Sequence, residues 1–266
     1  MEPSARAPGR SPAEIYDESF VPALFERWGP VIAEAAGVAS GQRVLDVACG
    51  TGALTLAVAR KVGPSGSVFG LDPNPEMLAV ARRKPARIEW IDGCAERLPF
   101  DDCSFDAVVS QFGFMFFDDK VAALRETMRV LRPGGRLAVA VCDAVERSPG
   151  YVALAGLLER LFGRAVADAF RAPFALGDAA LLRSLCAEAG IAGAEVGREV
   201  GSVRFGSIAD LVSTERACAW TLGGLLDDAQ FERLLAESRP VLQPFVNAAG
   251  EVDFAMPVLV IRAARP

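Results

Sequence analysis

Between Arg43 and Asp143 the sequence alternates short apolar stretches with segments whose apolar residues recur at helical spacing. RVLDVA (43–48), SVFGLD (67–72), RIEWID (87–92), SFDAVVS (104–110) and RLAVAVCD (136–143) read as buried strands. TGALTLAVARKVG, NPEMLAVARRK and DDKVAALRETMRVL read as helices between them. The first closes at Gly63 with Pro64 behind it, and the second carries Pro75 in its first turn. The third is stopped by RPGG at 132–135, read as a turn. Strands joined by helical crossovers run parallel, and right-handed crossovers place helices on both faces of one sheet. This alternation predicts a doubly wound α/β sheet.

The flanks follow another rhythm. Residues 1–12 read as a loose tail, and Pro12 to Val38 as two helices with Phe20, Leu24, Val31 and Ala35 on apolar positions. After Asp143, helical patterns dominate in YVALAGLLERLFG, GDAALLRSLCAEAG, SIADLVSTERA and DDAQFERLLAESRPVLQPFVNAAG. Two late strands, 194–205 and 251–264, are expected to pair and complete the sheet. The helices between them are expected to form a cap over its ligand edge. This divides the chain into N-terminal tail and lid helices (1–38), a nucleotide-binding core (39–145) and a region of helices, closing strands and acceptor cap (146–266).

Composition removes whole classes of chemistry. The 266 residues contain no histidine, which excludes Ser–His and Cys–His nucleophilic machinery and histidine metal sites. The six cysteines form no CxxC pair, so no zinc site is expected. A net charge of −6 argues against a nucleic-acid partner, which needs clustered Lys and Arg. The first residues lack the apolar core of a signal peptide, and no apolar run is long enough for a membrane span. A cytoplasmic location with free thiols is the simplest expectation.

The strand VLDVA runs into CGTG and then a helix. Glycines allow close backbone approach, and a helix N-terminus offers unpaired N–H groups, so the arrangement suits a nucleotide. Asp72, at the end of the next strand, has the spacing of a ribose ligand; its bland alternative is to cap the following helix. A dinucleotide loop wants a third glycine where Thr55 stands. Asp46, just before the loop, suits a cationic ligand better than a pyrophosphate; its alternative is a strand-end residue satisfied by amides. The run FGFMFF (112–117) reads mainly as core, with one or two rings toward the ligand edge. Cys49 reads as packing inside the loop.

Four collinear stretches, VLDVACGTG, GLDPNPEMLAVAR, IEWIDGCAERLPFDDCSFDAVVSQFGFMFF and RVLRPGGRLAVAV, resemble class I S-adenosylmethionine-dependent methyltransferases. The pattern is most similar to the ubiquinone and menaquinone biosynthesis branch. The resemblance implies a Rossmann-like, mostly parallel seven-stranded sheet with N-terminal helices and a helical cap before the last strand. It implies S-adenosyl-L-methionine as cofactor. Gly50 and Gly52 would pass under its methionine moiety, and Asp46 would orient the ammonium. Asp72 would take the ribose hydroxyls, Met77 would pack near the adenine, and the Ala95 amide would meet the adenine edge. Gln111 would line the sulfonium and substrate cleft, and Tyr16 would touch the ligand from an N-terminal lid. The chain departs from the pattern at Ala48, where glycine is usual, and at Cys94, where an aspartate would accept from the adenine amino group. Asp92, Glu96 or packing alone would replace that contact.

The expectation is a methyltransferase acting on a small, largely apolar acceptor by in-line transfer driven by proximity. The alternatives are a non-catalytic S-adenosylmethionine-binding module and an NAD-dependent oxidoreductase. The sequence names no catalytic base; Tyr16, Tyr151 and the cap carboxylates are the candidate set. Nor does it name the acceptor or the oligomeric state.

Overall fold

Seven strands form one sheet in the order β3-β2-β1-β4-β5-β9-β6. In the computed structural model, which describes residues 10–85 and 87–266, these strands are β1 (Arg43–Val47), β2 (Ser67–Asp72), β3 (Ile88–Asp92), β4 (Phe105–Gln111), β5 (Leu131–Cys142), β6 (Glu195–Glu199) and β9 (Val258–Ala264). β9 is antiparallel to both its neighbours, and the pairs from β3 to β5 are parallel. The expected seven-stranded, mostly parallel sheet is therefore present. Most of the residues expected as a tail over 1–12 lie outside the described ones.

Helices α2 (Trp28–Ala35), α3 (Ala53–Val62), α4 (Pro75–Ala81), α5 (Lys120–Val130) and α8 (Ala179–Glu188) belong with this sheet. Chain order runs one way from β1 to β3 and the other way from β4 to β5. Right-handed crossovers thus put α3 and α4 on one face and α5 on the other. The reversal opens a crevice beyond the ends of β1 and β4, where doubly wound sheets bind ligands. The strands there are apolar on both faces: Val44, Leu45, Val108, Val109, Leu137 and Ala138 are fully buried.

The molecule is built of two units whose segments interleave along the chain. The sheet unit comprises Phe25–Cys142, Leu176–Glu199 and Val258–Pro266. The second comprises residues up to Leu24, Asp143–Ala175 and Val200–Pro257. This differs from the chain-order division at 38 and 145, because β6, α8 and β9 return to the sheet from the late region. The second unit holds α1 (Pro12–Ile15), most of a wide π-type helix over Tyr16–Phe25, α6 (Pro149–Phe162), α7 (Arg164–Arg171), α9 (Ile208–Ala217) and α10 (Asp228–Leu242). It also holds a separate two-stranded sheet of β7 (Ser202–Phe205) and β8 (Val252–Ala255). Inside it the Tyr151 ring meets Phe170, Phe174 and Phe254 edge-on. Glu215 is buried there beside the Thr221 and Tyr151 hydroxyls, and burial pushes its carboxyl up to about 7.

Three expectations need correction. RPGG does not reverse the chain: it lies within β5, where the register against β4 jumps from Phe105↔Leu131 to Ala107↔Arg136. The extra residues bulge out, with Gly134 at φ 76°, and are strapped by Gly134 N–H to Arg265 O and Arg265 N–H to Gly135 O. The expected strand 194–205 is two strands in different sheets, broken at Val200–Gly201. The strand 251–264 is likewise broken at Met256–Pro257, where proline offers no ladder N–H.

Candidate functional site

The loop leaving β1 takes the left-handed conformation at alternate residues: Ala48 (φ 58°), Gly50 (φ 54°) and Gly52 (φ 90°). Glycine reaches this region without strain and alanine does not. The Ala48 methyl also needs space, and Gly113 leaves it: a Cβ on Gly113, in the loop after β4, would lie 2.3 Å from the Ala48 Cβ. The rest of the turn is pinned by Cys49 N–H to Leu71 O (3.0 Å) and Gly52 N–H to Cys49 O (2.8 Å). Cys49 is buried, and desolvation pushes its thiol well above the ordinary range, so it packs rather than reacts.

Asp72 sits at the end of β2 and does two jobs for the loops. Its Oδ2 accepts from Gly50 N–H and its Oδ1 from Asn74 N–H, each at 2.8 Å. It does not cap α4; the Asn74 side chain does, accepting from Glu76 and Met77 N–H. Burial raises the Asp72 pKa against the two amide bonds, and the Asp92 charge adds to the rise.

Asp46, fully buried near the end of β1, accepts a 2.6 Å bond at Oδ2 from the Thr55 hydroxyl. Its Oδ1 has no protein partner. Burial pushes the carboxyl up to about 8; the Thr55 bond opposes this and the Asp72 charge adds to it. Thr51 Oγ1, Ser110 Oγ and Gln111 Oε1 are also buried without a hydrogen-bond partner. Native interiors leave few such atoms unpaired, and these four gather at one end of β1 and β4. A ligand bearing an ammonium and hydroxyls fits this donor-hungry edge.

The remaining expected residues divide. Met77 is buried in the first turn of α4. Cys94 is exposed and Ala95 buried on the loop after β3. That loop is stapled by Arg129, which donates to Leu98 O and Phe100 O, while Glu126 accepts from Leu98 N–H. Glu96, a candidate for the adenine contact, is committed elsewhere: its Oε1 accepts from Asp118 and Asp119 N–H. Asp92 is exposed at the end of β3. Gln111 donates from Nε2 to Phe25 O at 3.0 Å. Tyr16 is a residue of the second unit, where its ring meets Phe20 and Trp220. In FGFMFF, Phe112, Phe114 and Met115 are buried and Phe116 is 42% exposed.

Sequence reasoning missed Thr55 as the partner of Asp46, having read it only as a glycine that was not there. It also missed Trp90, whose indole packs against Gly70 and Gly52. A glycine in the middle of a buried strand, as in SVFGLD, is the signal that something approaches closely.

A model of the ubiE/COQ5 methyltransferase family matches residues 20–167, more than half of the chain and all of this loop system. The chain belongs to that family. It is 48% identical over 118 residues to the ubiquinone/menaquinone biosynthesis C-methyltransferase UbiE of Hahella chejuensis, covering 42% of this chain and 47% of that one. It is 41% identical over 120 residues to the chloroplastic 2-phytyl-1,4-beta-naphthoquinone methyltransferase of Arabidopsis thaliana, covering 42% and 46%. The chain spans about half the length of the curated relatives it matches. A putative methyltransferase of Bacillus halodurans shares the fold, with a TM-score of 0.60 at 21% identity over 90% of this chain and 98% of that one. Among the described residues no helix is long and apolar enough to cross a membrane, and no cluster of side chains suits a metal ion.

Proposed function

We propose that this chain is an S-adenosylmethionine-dependent methyltransferase acting on a small, largely apolar acceptor. The observation that carries the reading is the buried, unpaired Oδ1 of Asp46 beside the glycine loop. A lone carboxylate oxygen there is complementary to an ammonium and repels a pyrophosphate. When bound, the donor supplies a methyl group activated on a sulfonium. The protein's own residues bind and orient. Asp46 takes the ammonium, Gly50 and Gly52 let the backbone come close, and Asp72 offers its remaining lone pairs to the ribose hydroxyls. Met77 and the Ala95 amide flank the adenine, and Gln111 keeps its free Oε1 for a ligand donor. With no histidine in the chain, acceleration comes from holding the reacting groups in line.

The names of two relatives, a 2-phytyl-1,4-beta-naphthoquinone methyltransferase and a demethylmenaquinone methyltransferase, support an apolar ring compound as acceptor. The apolar segments 151–176 and 206–250 are proposed to recognise it. The scattered spacing of the six cysteines, with no CxxC pair, supports a cytoplasmic location, and the charge of −6 supports a small-molecule partner over nucleic acid.

Calorimetry with S-adenosylhomocysteine and with NAD tests the donor. Binding of the first and not the second is expected; the reverse overturns the reading. Transfer of tritiated methyl from S-adenosylmethionine into organic-extractable quinols then tests the acceptor class. Donor binding without transfer to any apolar acceptor would return the chain to a binding module.

A further inference from the structure

The centre of edge strand β3 carries Trp90, in register with Gly70 of β2, which is in register with Asp46 of β1. The three residues form a row across one face of the sheet. The indole extends along that row over the neighbouring strand. A Cβ on Gly70 would lie 2.6 Å from the ring and 3.0 Å from Cys49 Sγ. A Cβ on Gly52, in the turn that starts α3, would lie 2.5 Å from the far edge of the same ring. Two glycines on different elements thus make room for one indole. By contrast, a Cβ on Gly50 would meet nothing within 4 Å, so that side of the loop is open. The loop is therefore held at two points: Asp72 grips the Gly50 amide, and Trp90 supports Gly52. The Trp90 strand is itself tied down by Arg82 Nη2, which donates to Trp90 O at 3.4 Å.

We propose that Trp90 is a positioning residue for donor binding: its indole sets the height of the glycine loop above β2. The inference rests on the donor assignment made above. An aromatic ring of this size supplies a large, rigid contact at low entropic cost. Without it the turn keeps Thr51 as its one buried side chain, and Gly52 is free to settle toward the sheet. The Gly50 amide and the path under the ligand move with it. The effect falls on the donor and not on the acceptor.

The test uses the full chain. Affinity for S-adenosylhomocysteine is measured for wild type, Trp90→Phe and Trp90→Ala, with melting temperatures alongside. Trp90→Ala is expected to bind at least tenfold more weakly and Trp90→Phe within about threefold of wild type, with the donor KM rising and the acceptor KM unchanged. A second measurement needs no folded alanine variant. In chain labelled with 5-fluorotryptophan, the fluorine resonance lost in Trp90→Phe belongs to Trp90. It is expected to shift when S-adenosylhomocysteine is added to wild type. A Trp90→Ala protein that binds within twofold of wild type overturns the proposal, as does an unmoved Trp90 resonance at saturation. Failure of wild type itself to bind overturns the donor assignment instead, and the two failures are told apart by the first titration.

Discussion

Asp46 is the residue where burial and ligand chemistry meet. Its folded pKa of about 8 stands above its ordinary value of 3.8. The folded state therefore holds a proton that the unfolded chain releases, and Asp46 costs stability increasingly as pH rises from about 4 to about 8. A ligand ammonium reverses this by favouring the carboxylate. At pH 7 the group is about nine-tenths protonated, so donor binding should release close to one proton. Affinity for S-adenosylhomocysteine should rise about tenfold from pH 6 to 7 and level off near 8. Asp46→Asn should bind weakly with a flat profile over that range. Calorimetry in buffers of different ionisation enthalpy counts the proton; no proton release at pH 7 would remove Asp46 from the ammonium site. Asp72 makes a second residue-scale prediction. Asp72→Ala should lower donor affinity at least tenfold and also destabilise the fold by about 1–3 kcal/mol, since two loop amides lose their acceptor. An unchanged melting temperature would show those bonds to be dispensable. The positions of both aspartates were legible in the sequence from spacing to the glycine loop. Their partners were not, because Thr55 and the Gly50 amide reach them only once the strand, loop and helix are folded.

At the scale of elements, two loops meet where Ala48 and Gly113 face each other. Gly113→Ala would set two Cβ atoms 2.3 Å apart and force one loop to move. That variant should lose stability by about 1–3 kcal/mol, as overpacked cores do. Ala48→Gly removes the opposing methyl and the strain of a left-handed alanine, so alone it should be neutral or stabilising by up to about 1 kcal/mol. The double variant should recover most of the loss, a coupling that a double-mutant cycle in urea reads directly. Additive losses would mean that the two loops do not share this contact. Element boundaries in β1–β4 were legible because apolar runs end at glycine, proline or asparagine caps. The breaks at Val200–Gly201 and Met256–Pro257 carry the same punctuation, a glycine and a proline, but β-type residues resume at once on the far side, so the sequence did not show that each half joins a different sheet. RPGG misled for a related reason: its glycines make a bulge as well as a turn, and only the Arg265 strap selects between them.

At the scale of the whole molecule, the interleaving of the units decides what can fold alone. The sheet receives β9 from the end of the chain, after the second unit has been threaded through residues 200–257. β9 is the strand between β5 and β6, pairing with β5 from Arg136↔Ala264 to Cys142↔Val258 and with β6 from Glu195↔Arg262 to Glu199↔Val258. A chain ending at Glu199 keeps Asp46, the glycine loop, Asp72 and Trp90, and the whole region matched by the family model. It loses the partner of both flanking strands. β5, whose Leu137 to Val141 are all buried, becomes an open edge, and β6 has nothing to pair with. Each ladder bond lost is worth about 0.5–1.5 kcal/mol, so a loss on this scale exceeds the 5–15 kcal/mol margin of an ordinary domain once the exposed apolar strand is added. The truncated chain should therefore show no cooperative melting transition, weak near-UV circular dichroism and no binding of S-adenosylhomocysteine, with every residue proposed to contact the donor still present. A cooperative melt with donor binding retained would show that β1–β5 carry the site without the returning strand.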